Sequence, residues 1–217
     1  MGVGRTEATL RDLENYLVES VATPEGCGRI VAETEERLGE IDVLVNNAGI
    51  DSGEEQLIWK QSPELWEAVM ATNLSGPFHL SRLVAGGMVA RGWGRIVMVA
   101  STAGLAGGRS LSAYTTSKHG MIGLMRAIAQ DVAGCGVTCN AVCPGWVRTE
   151  MGELTAARES HERGVPAEQI WEERAAASPG GRIVTVQEVA DVIGLLASDA
   201  LSGVNGEAIR VALGSLW

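Results

Sequence analysis

The stretch RIVMVASTAGLAGGRSLSAYTTSK, residues 95–118, leads from an apolar strand to a helix that carries a tyrosine and a lysine. The run Arg95–Ala100 predicts a buried strand, and Ser101 comes directly after it. Tyr114 and Lys118 are four positions apart, so on a helix they lie one turn apart on the same face. Because ligands of open α/β sheets bind at the carboxyl ends of the strands, we expect a functional site here.

The pairing of Tyr114 with Lys118 predicts acid–base chemistry. A neighbouring ammonium favours the phenolate and lowers the pKa of the phenol, which turns a weak acid into a proton shuttle. The chain has only two tyrosines, and a chance tyrosine four residues before a lysine is expected about 0.02 times. Taken alone, the pair also fits a surface helix with a solvated lysine and a half-buried tyrosine, so the assignment depends on the other motifs.

Apolar strands alternate with amphipathic helices along the chain, which predicts a parallel α/β sheet. The continuous apolar run Ile41–Val45 is typical of a strand buried on both faces, whereas Leu17–Ala22 is a weaker strand candidate. The remaining predicted strands are Val137–Val142 and Ala208–Leu213, and the predicted helices are Thr6–Tyr16, Thr23–Leu38, Pro63–Thr72, Phe78–Ala90, a helix from Tyr114 to near Gly134, and Val186–Ala197.

Composition restricts the class of protein. The 217 residues suit one α/β domain, residues 1–217, and 46% apolar residues can fill its core. A net charge of −10 disfavours nucleic-acid binding. No apolar run reaches membrane-spanning length and Met1–Tyr16 is too polar for a signal peptide, so we expect a soluble, cytoplasmic protein. The four cysteines, Cys27, Cys135, Cys139 and Cys143, lack a zinc spacing and predict small core residues rather than a metal site.

Five motifs in order resemble those of the short-chain dehydrogenase/reductase family, from about residue 17 to the C-terminus. They are Asn46-Asn47-Ala48-Gly49 after a buried strand, Asn73, Ser101, Tyr114-x-x-x-Lys118 and Pro144-Gly145. Each motif alone also fits ordinary turn or capping chemistry, and their joint order is what makes the resemblance specific. The fold that it implies is a Rossmann-like, doubly wound parallel sheet.

The resemblance implies catalytic roles for four residues. Tyr114 would be the general acid and base at the substrate oxygen, and Lys118 would lower the pKa of Tyr114 and hold the nicotinamide ribose. Ser101 would donate a hydrogen bond to the substrate carbonyl, and Asn73 would anchor a water in the relay to Lys118.

It also implies a cofactor, NAD(P)(H), and a set of residues along it. Asn46, Ala48 and Gly49 would border the adenosine side. Pro144, Gly145, Val147 and Thr149 would lie along the nicotinamide, with the Thr149 hydroxyl near its carboxamide. The implied substrate is a small ketone or secondary alcohol. The sequence does not distinguish NAD from NADP.

The sequence departs from the family at its amino-terminal end. The family opens with a strand, a turn of the form Thr-Gly-x-x-x-Gly-x-Gly, a helix and a second strand, which cradle the pyrophosphate. No such turn occurs here: Gly26-Cys27-Gly28 is out of register, and Gly2-x-Gly4 follows no predicted strand. We therefore expect the first strand–helix–strand unit to be missing. Leu17–Ala22 would close up against Ile41–Val45 or pair in another way, and the exposed sheet edge would favour a homo-oligomer.

Three hypotheses follow from the intact catalytic motifs and the missing phosphate cradle. The first is an NAD(P)-dependent oxidoreductase, with weakened or partner-assisted cofactor binding. The second is an enzyme of the same fold that no longer uses a nicotinamide and performs dehydration, isomerisation or cyclisation. The third is a non-catalytic subunit that pairs with a full-length relative.

The polar, helical segment 150–182 predicts a lid over the site. Leu154, Ile170 and Trp171 lie within it, and Trp146 comes shortly before. These side chains fit a bulky apolar ketone, and they fit equally a lid that packs on its own core.

Overall fold

The computed structural model describes residues 1–5, 10, 13–51 and 57–216. Its strands are β1 Gly2–Gly4, β2 Tyr16–Val18, β3 Val43–Asn46, β4 Gly94–Val99, β5 Val137–Pro144 and β6 Ala208–Val211. Its helices are α1 Pro24–Leu38, α2 Pro63–Met70, α3 Gly76–Arg91, α4 Ser112–Asp131, α5 Glu150–Arg163, α6 Ala167–Ala177 and α7 Val186–Leu196. The alternation of strand and helix that the sequence predicts is therefore confirmed.

Four parallel strands in the order β3-β4-β5-β6 form the main sheet. Helices cover it from both faces because neighbouring residues of a strand point to opposite sides. Ile96 and Met98 of β4 pack into a core with α1, α3 and α4, whereas Val97 between them packs into a second core with α7. This arrangement is the doubly wound α/β fold expected from the sequence.

The prediction that Ile41–Val45 is buried on both faces is wrong. Leu44 packs against the core that contains α1 and α3. Val43 and Val45 point to the opposite face, the one on which Val97 meets α7, and each is 39% exposed. Among the described residues α7 packs mainly on β4 and β5 rather than on β3. The result is an apolar strip, Val43 and Val45, on the surface.

The amino-terminal strands differ from the expectation. The weak candidate Leu17–Ala22 forms a strand over Tyr16–Val18 only, and it pairs in parallel with β1 rather than with β3. Gly2-x-Gly4 is thus itself a strand. The sequence did not predict it, because three residues, two of them glycines, are too short to show the alternation of apolar and polar residues typical of a strand. The core that Leu44 contacts also includes Val3 of β1 and Leu17 of β2. The sheet formed by β1 and β2 therefore packs on the same layer of helices as the main sheet. No described strand joins β1 or β2 to β3.

Helix ends follow the local signals closely. Thr23 caps α1 by accepting a hydrogen bond from Gly26 N, Pro24 is the first helical residue, and Gly39 ends the helix with φ of 83°. The helix that carries Tyr114 ends at Asp131, three residues before the predicted stop at Gly134. The predicted helix Thr6–Tyr16 falls largely outside the described residues, and its last residue belongs to β2.

Two further expectations concern the lid segment and the cysteines. The segment 150–182 contains α5 and α6, and its Ile170 and Trp171 are buried with Ala156 in a core of their own. Most of their surface is therefore used in packing the lid segment, and Ile170 also lines a cavity together with Gly145 and Trp146. All four cysteines are free thiols; three are buried, and Cys135 is half-buried rather than in the core. None of the helices in the described ranges is long and apolar enough to cross a membrane.

Candidate active site

Ser101 and Tyr114 meet at the carboxyl ends of the central strands. Ser101 follows β4, and its hydroxyl accepts a hydrogen bond from Ala103 N at 3.1 Å, which caps the short 3-10 helix Thr102–Gly104. Tyr114 lies in the first turn of α4, half-buried, and Ser101 is close enough to lower the pKa of its phenol. The two side chains that the sequence singles out are therefore neighbours.

Lys118 lies one helical turn after Tyr114, as the spacing predicts. Its ammonium nitrogen is 5.6 Å from the centre of the Tyr114 ring and donates a hydrogen bond to the Val99 carbonyl at 2.9 Å. The side chain is only 4% exposed. Burial disfavours the charged form and lowers the pKa of Lys118 to about 8, partly offset by the nearby Cys143 thiol.

The expected lowering of the phenol's pKa by Lys118 is not what the structure shows. Burial raises the pKa of Tyr114, the hydrogen bond from Ser101 opposes that rise, and the charge of Asp51 adds to it. The lysine does not dominate because its own charge is buried and its ammonium is directed at the Val99 carbonyl. In this state the pKa of Tyr114 lies above that of a free phenol, so the group is protonated but a weaker acid.

Asn73 lies in a π-helical turn, Ala71–Ser75, inserted between α2 and α3. Such turns widen the helix and recur at functional sites. The side chain is fully buried and its amide clamps the backbone of Ile50, accepting from Ile50 N at 2.9 Å and donating to Ile50 O at 2.8 Å. It also donates to Ser117 Oγ at 3.1 Å. Asn73 thereby ties the loop after β3 to α4.

The loop after β3 brings two of its three predicted residues toward this cluster. Asn46 is buried, its amide donates to Ser81 Oγ at 3.4 Å, and its Oδ1 lacks a hydrogen-bond donor among the described residues. Gly49 lies against the cluster, since a Cβ built on it would be 3.5 Å from Asn73 Oδ1 and 3.6 Å from Lys118 Nζ. Ala48 is exposed.

The segment after β5 forms the other wall. Pro144 ends β5, and Gly145 N donates to the Val211 carbonyl at 3.0 Å. Val147 forms a parallel bridge with Val184, outside the main strands. The Thr149 hydroxyl accepts from Gly152 N at 3.2 Å and so caps α5; its own proton is still available to a ligand.

Sequence reasoning missed several residues of this site. Ser117 Oγ accepts from Asn73 and donates to the Tyr114 carbonyl at 2.7 Å. Cys143 of β5 lies close enough to Lys118 for their charges to interact. Asp51 acts on Tyr114 through its charge and contacts α5. Asp51 carries no motif that could have indicated its place, because its contacts are far away in the sequence.

The described residues fit one half of a nicotinamide dinucleotide. Lys118 uses one of its three N–H donors on Val99, which leaves donors for ribose hydroxyls, and Asn46 Oδ1 is a buried acceptor without a donor among the described residues. The pyrophosphate half is different, because the sequence contains no Thr-Gly-x-x-x-Gly-x-Gly turn. No cluster of three metal-ligating side chains occurs within the described ranges.

Comparison with known proteins gives consistent results. A family model described as enoyl-(acyl carrier protein) reductase matches residues 5–215. The chain is 40% identical over 169 residues to D-beta-hydroxybutyrate dehydrogenase of Cupriavidus necator, covering 77% of this chain and 65% of that protein. It is 38% identical over 197 residues to acetoacetyl-CoA reductase of Shinella zoogloeoides, covering 91% of this chain and 77% of that protein.

A solved structure of a variant of actinorhodin polyketide ketoreductase with NADPH is similar throughout. It superposes with a TM-score of 0.91 at 36% sequence identity, covering 98% of this chain and 86% of that one. The chain thus spans just under two thirds of the hydroxybutyrate dehydrogenase and most of the ketoreductase.

Proposed function

Since the chain belongs to the short-chain dehydrogenase/reductase family, we propose that it is an oxidoreductase acting on a ketone or secondary alcohol with NAD(P)(H). The observation that carries the proposal is the grouping of Tyr114, Ser101 and Lys118 at the carboxyl ends of the parallel strands, with the Lys118 ammonium 5.6 Å from the centre of the Tyr114 ring. The relatives' names, all dehydrogenases or reductases of 3-oxo or 3-hydroxy compounds, support this choice over cofactor-free chemistry and over a non-catalytic subunit.

In the reductive direction the residues act as follows. Ser101 donates a hydrogen bond to the substrate carbonyl, which polarises it and stabilises the negative charge that develops on oxygen. The cofactor supplies the hydride to the carbonyl carbon. Tyr114 gives its hydroxyl proton to the same oxygen, which completes the alcohol, and the resulting phenolate is stabilised by the nearby Lys118 ammonium. The phenol is protonated at neutral pH, and because burial raises its pKa it is a weaker acid than a free phenol, which the nearby Lys118 ammonium has to offset in this step.

The cofactor would be held by this chain mainly at its nicotinamide end. Lys118 would donate to ribose hydroxyls, and Asn46 and Gly49 would border the adenosine side. Pro144, Gly145, Val147 and Thr149 would line the nicotinamide, with the Thr149 proton directed at its carboxamide.

Titration with NADPH and NADH tests cofactor binding directly, read by thermal unfolding and by the fluorescence of the six tryptophans. Binding stabilises the folded protein by about 2.7 kcal/mol at a ligand concentration 100 times the Kd. We expect stabilisation by at least one of the two nucleotides, reduced in Lys118→Met. A folded protein that shows no shift at millimolar nucleotide would contradict NAD(P)(H) use.

A further inference from the structure

Helix α4 carries a hydrogen-bonded serine between its two functional side chains. Ser117 lies in the turn that separates Tyr114 from Lys118, and it is fully buried. Its hydroxyl donates to the Tyr114 carbonyl at 2.7 Å. In an α-helix the same carbonyl accepts from the backbone N–H of the residue four positions later, which here is Lys118. Ser117 therefore binds the peptide oxygen that joins the two functional residues.

A hydroxyl bonded to a carbonyl one turn earlier alters the helix in which it lies. Such a bond competes with the backbone hydrogen bonds and often bends the helix at that point. The turn affected here is the one between the phenol and the ammonium, whose nitrogen is 5.6 Å from the centre of the Tyr114 ring. A change in this turn moves Lys118 relative to Tyr114 without altering either side chain.

The proton of Ser117 also decides how the Asn73 amide is oriented. Because the hydroxyl uses its only proton on the Tyr114 carbonyl, it can meet Asn73 only as an acceptor. Asn73 Nδ2 donates to it at 3.1 Å, which leaves the amide oxygen to accept from Ile50 N at 2.9 Å. A flipped amide would set its oxygen against the oxygens of Ser117 and of the Ile50 carbonyl. Ser117 thus fixes the amide that clamps the loop after β3.

Two backbone segments pack closely against Lys118 in this arrangement. A Cβ on Gly49, in the clamped loop, would lie 3.5 Å from Asn73 Oδ1 and 3.6 Å from Lys118 Nζ. A Cβ on Gly104, in the short 3-10 helix after β4, would lie 2.9 Å from the Lys118 carbonyl oxygen. The position of the turn that contains Ser117 therefore determines how both segments fit around the lysine.

We propose that Ser117 is a positioning residue of the active site, which sets the turn between Tyr114 and Lys118 and ties it, through Asn73, to the loop after β3. The inference rests on the proposed function and adds to that site a residue that acts through its neighbours. Loss of the hydroxyl should slow proton transfer, because the phenol is still present but its place beside the ammonium is no longer held.

Ser117→Ala tests the inference, because it removes the hydroxyl and adds no bulk to the core. With ethyl acetoacetate as substrate we expect kcat to fall about 10- to 100-fold. The KM for the ketone and the Kd of the nucleotide should change by less than about twofold, since no group that binds a ligand is lost. An unchanged kcat in the folded variant, or a loss confined to KM, would overturn the inference.

Two conservative variants show whether the hydroxyl itself is responsible. Ser117→Thr keeps the donor and the acceptor, and threonine in a helix forms the same kind of bond to an earlier carbonyl. It also adds a methyl group at a fully buried position, so Ser117→Cys, which keeps the shape and a weaker donor, is measured beside it. At least one of the two should have a kcat clearly above that of Ser117→Ala. If neither does, the inference is wrong.

Thr34→Val is the matched control for a purely structural effect. The Thr34 hydroxyl donates to the Ile30 carbonyl at 2.6 Å, a bond of the same kind in α1, which carries no residue of the proposed site. Valine keeps the shape of the side chain and removes the hydroxyl. We expect a lower midpoint temperature of unfolding and an unchanged kcat. A loss of kcat as large as that of Ser117→Ala would count against a positioning role.

Two readouts do not need turnover. The first is the ultraviolet titration of the Tyr114 phenol, with Tyr114→Phe used to subtract the other tyrosine, Tyr16. In Ser117→Ala its midpoint pH should rise by about 0.5 or more, because the ammonium is no longer held beside the ring. The second is amide hydrogen exchange at Ile50, which should quicken in the same variant because its acceptor is no longer fixed.

The other groups around the phenol are the same in all of these variants. Asp51 acts on Tyr114 through its charge from the loop after β3, and Cys143 of β5 lies beside Lys118. A changed midpoint in Ser117→Ala therefore reports the geometry of the turn.

These readouts separate failure of the inference from failure of the proposed function. If none of the proteins turns over the ketone, the proposed function fails, and the titration and the exchange decide the inference. A higher midpoint and faster exchange at Ile50 in Ser117→Ala, both reversed in Ser117→Thr or Ser117→Cys, support it. A change in only one of them, or in neither, overturns it.

Discussion

The Lys118 ammonium lies 5.6 Å from the centre of the Tyr114 ring while donating to the Val99 carbonyl at 2.9 Å. One helical turn thus places a buried cation beside a half-buried phenol, with the Val99 carbonyl of β4 as the cation's hydrogen-bond partner. Burial acts on both groups toward their neutral forms: the pKa of Lys118 falls to about 8 and that of Tyr114 rises. The pair is therefore primed to change charge when a ligand alters its surroundings.

The depressed pKa of Lys118 predicts a pH dependence of stability. Between pH 8 and 10.5 the unfolded chain keeps a proton that the folded protein has lost, so the free energy of unfolding rises with pH in this window. Across this pH window we expect the free energy of unfolding of the wild-type protein to rise by as much as roughly 3 kcal/mol relative to that of Lys118→Met. Urea unfolding of both proteins across the window measures the difference. A difference that stays flat or falls would show that Lys118 is not desolvated.

Asn73 should be important for the stability of the protein as well as for holding the loop after β3 against α4. Asn73→Ala leaves both backbone groups of Ile50 without their partner in a buried site, at a cost of about 2 to 4 kcal/mol in the free energy of unfolding. Asn47 is the control, because it is exposed and Asn47→Ala should cost less than about 0.5 kcal/mol. Equal losses in the two variants, measured in urea, would argue against the clamp.

Gly136 should tolerate substitution less well than its neighbour Gly134. Both have positive φ, at 76° and 77°, so alanine strains either backbone by about 1 to 2 kcal/mol. A Cβ on Gly136 would in addition lie 1.9 Å from the Gly92 carbonyl oxygen, whereas the space at Gly134 is open. The midpoint temperature of thermal unfolding should therefore be well below that of Gly134→Ala in the Gly136→Ala variant. Similar midpoint temperatures for the two variants would indicate that the turns containing Gly136 and Gly92 can move apart at little cost in free energy.

The apolar strip on β3 predicts association between copies of the chain. Val43 and Val45, each 39% exposed, present β-branched side chains on a sheet face, and burying them in an interface is favourable. We expect an oligomer in sedimentation velocity that dissociates more readily in Val45→Glu. Leu38→Glu, at an exposed site at the end of α1, is the control and should leave the association unchanged. A wild-type protein that is monomeric at all concentrations would contradict this prediction.

Local signals in the sequence predicted much of the fold and the core of the site. The i, i+4 spacing placed Tyr114 and Lys118 on one face of α4, and Thr23 and Pro24 marked the start of α1, because each signal acts within one helical turn. The family resemblance singled out Ser101 and Tyr114, and the structure places them close to each other. These features depend on residues that are close in the chain or on a recurring motif.

The failures have long-range causes. Whether a face of β3 is buried depends on whether a helix from elsewhere in the chain packs on it. The run Ile41–Val45 carries no information about that packing. The strands β1 and β2 have three residues each, which is too few to show the two-residue alternation by which a strand is predicted from sequence. The contact of Asp51 with Thr155 joins residues 104 positions apart, and no local pattern encodes it. The pKa of Tyr114 rises because burial outweighs its neighbours, a balance that only the packed structure determines.

The most direct test of the account is the ketone-dependent oxidation of NADPH or NADH by the wild-type protein and by Tyr114→Phe, with ethyl acetoacetate as substrate. Phenylalanine keeps the ring and removes the hydroxyl, and with it the proton that would be transferred. We predict measurable turnover by the wild type and a kcat lower by about 10² to 10⁴ in the variant, with the fold unchanged by circular dichroism. Equal rates in the two proteins, or a folded wild type without ketone-dependent turnover, would contradict the role of Tyr114.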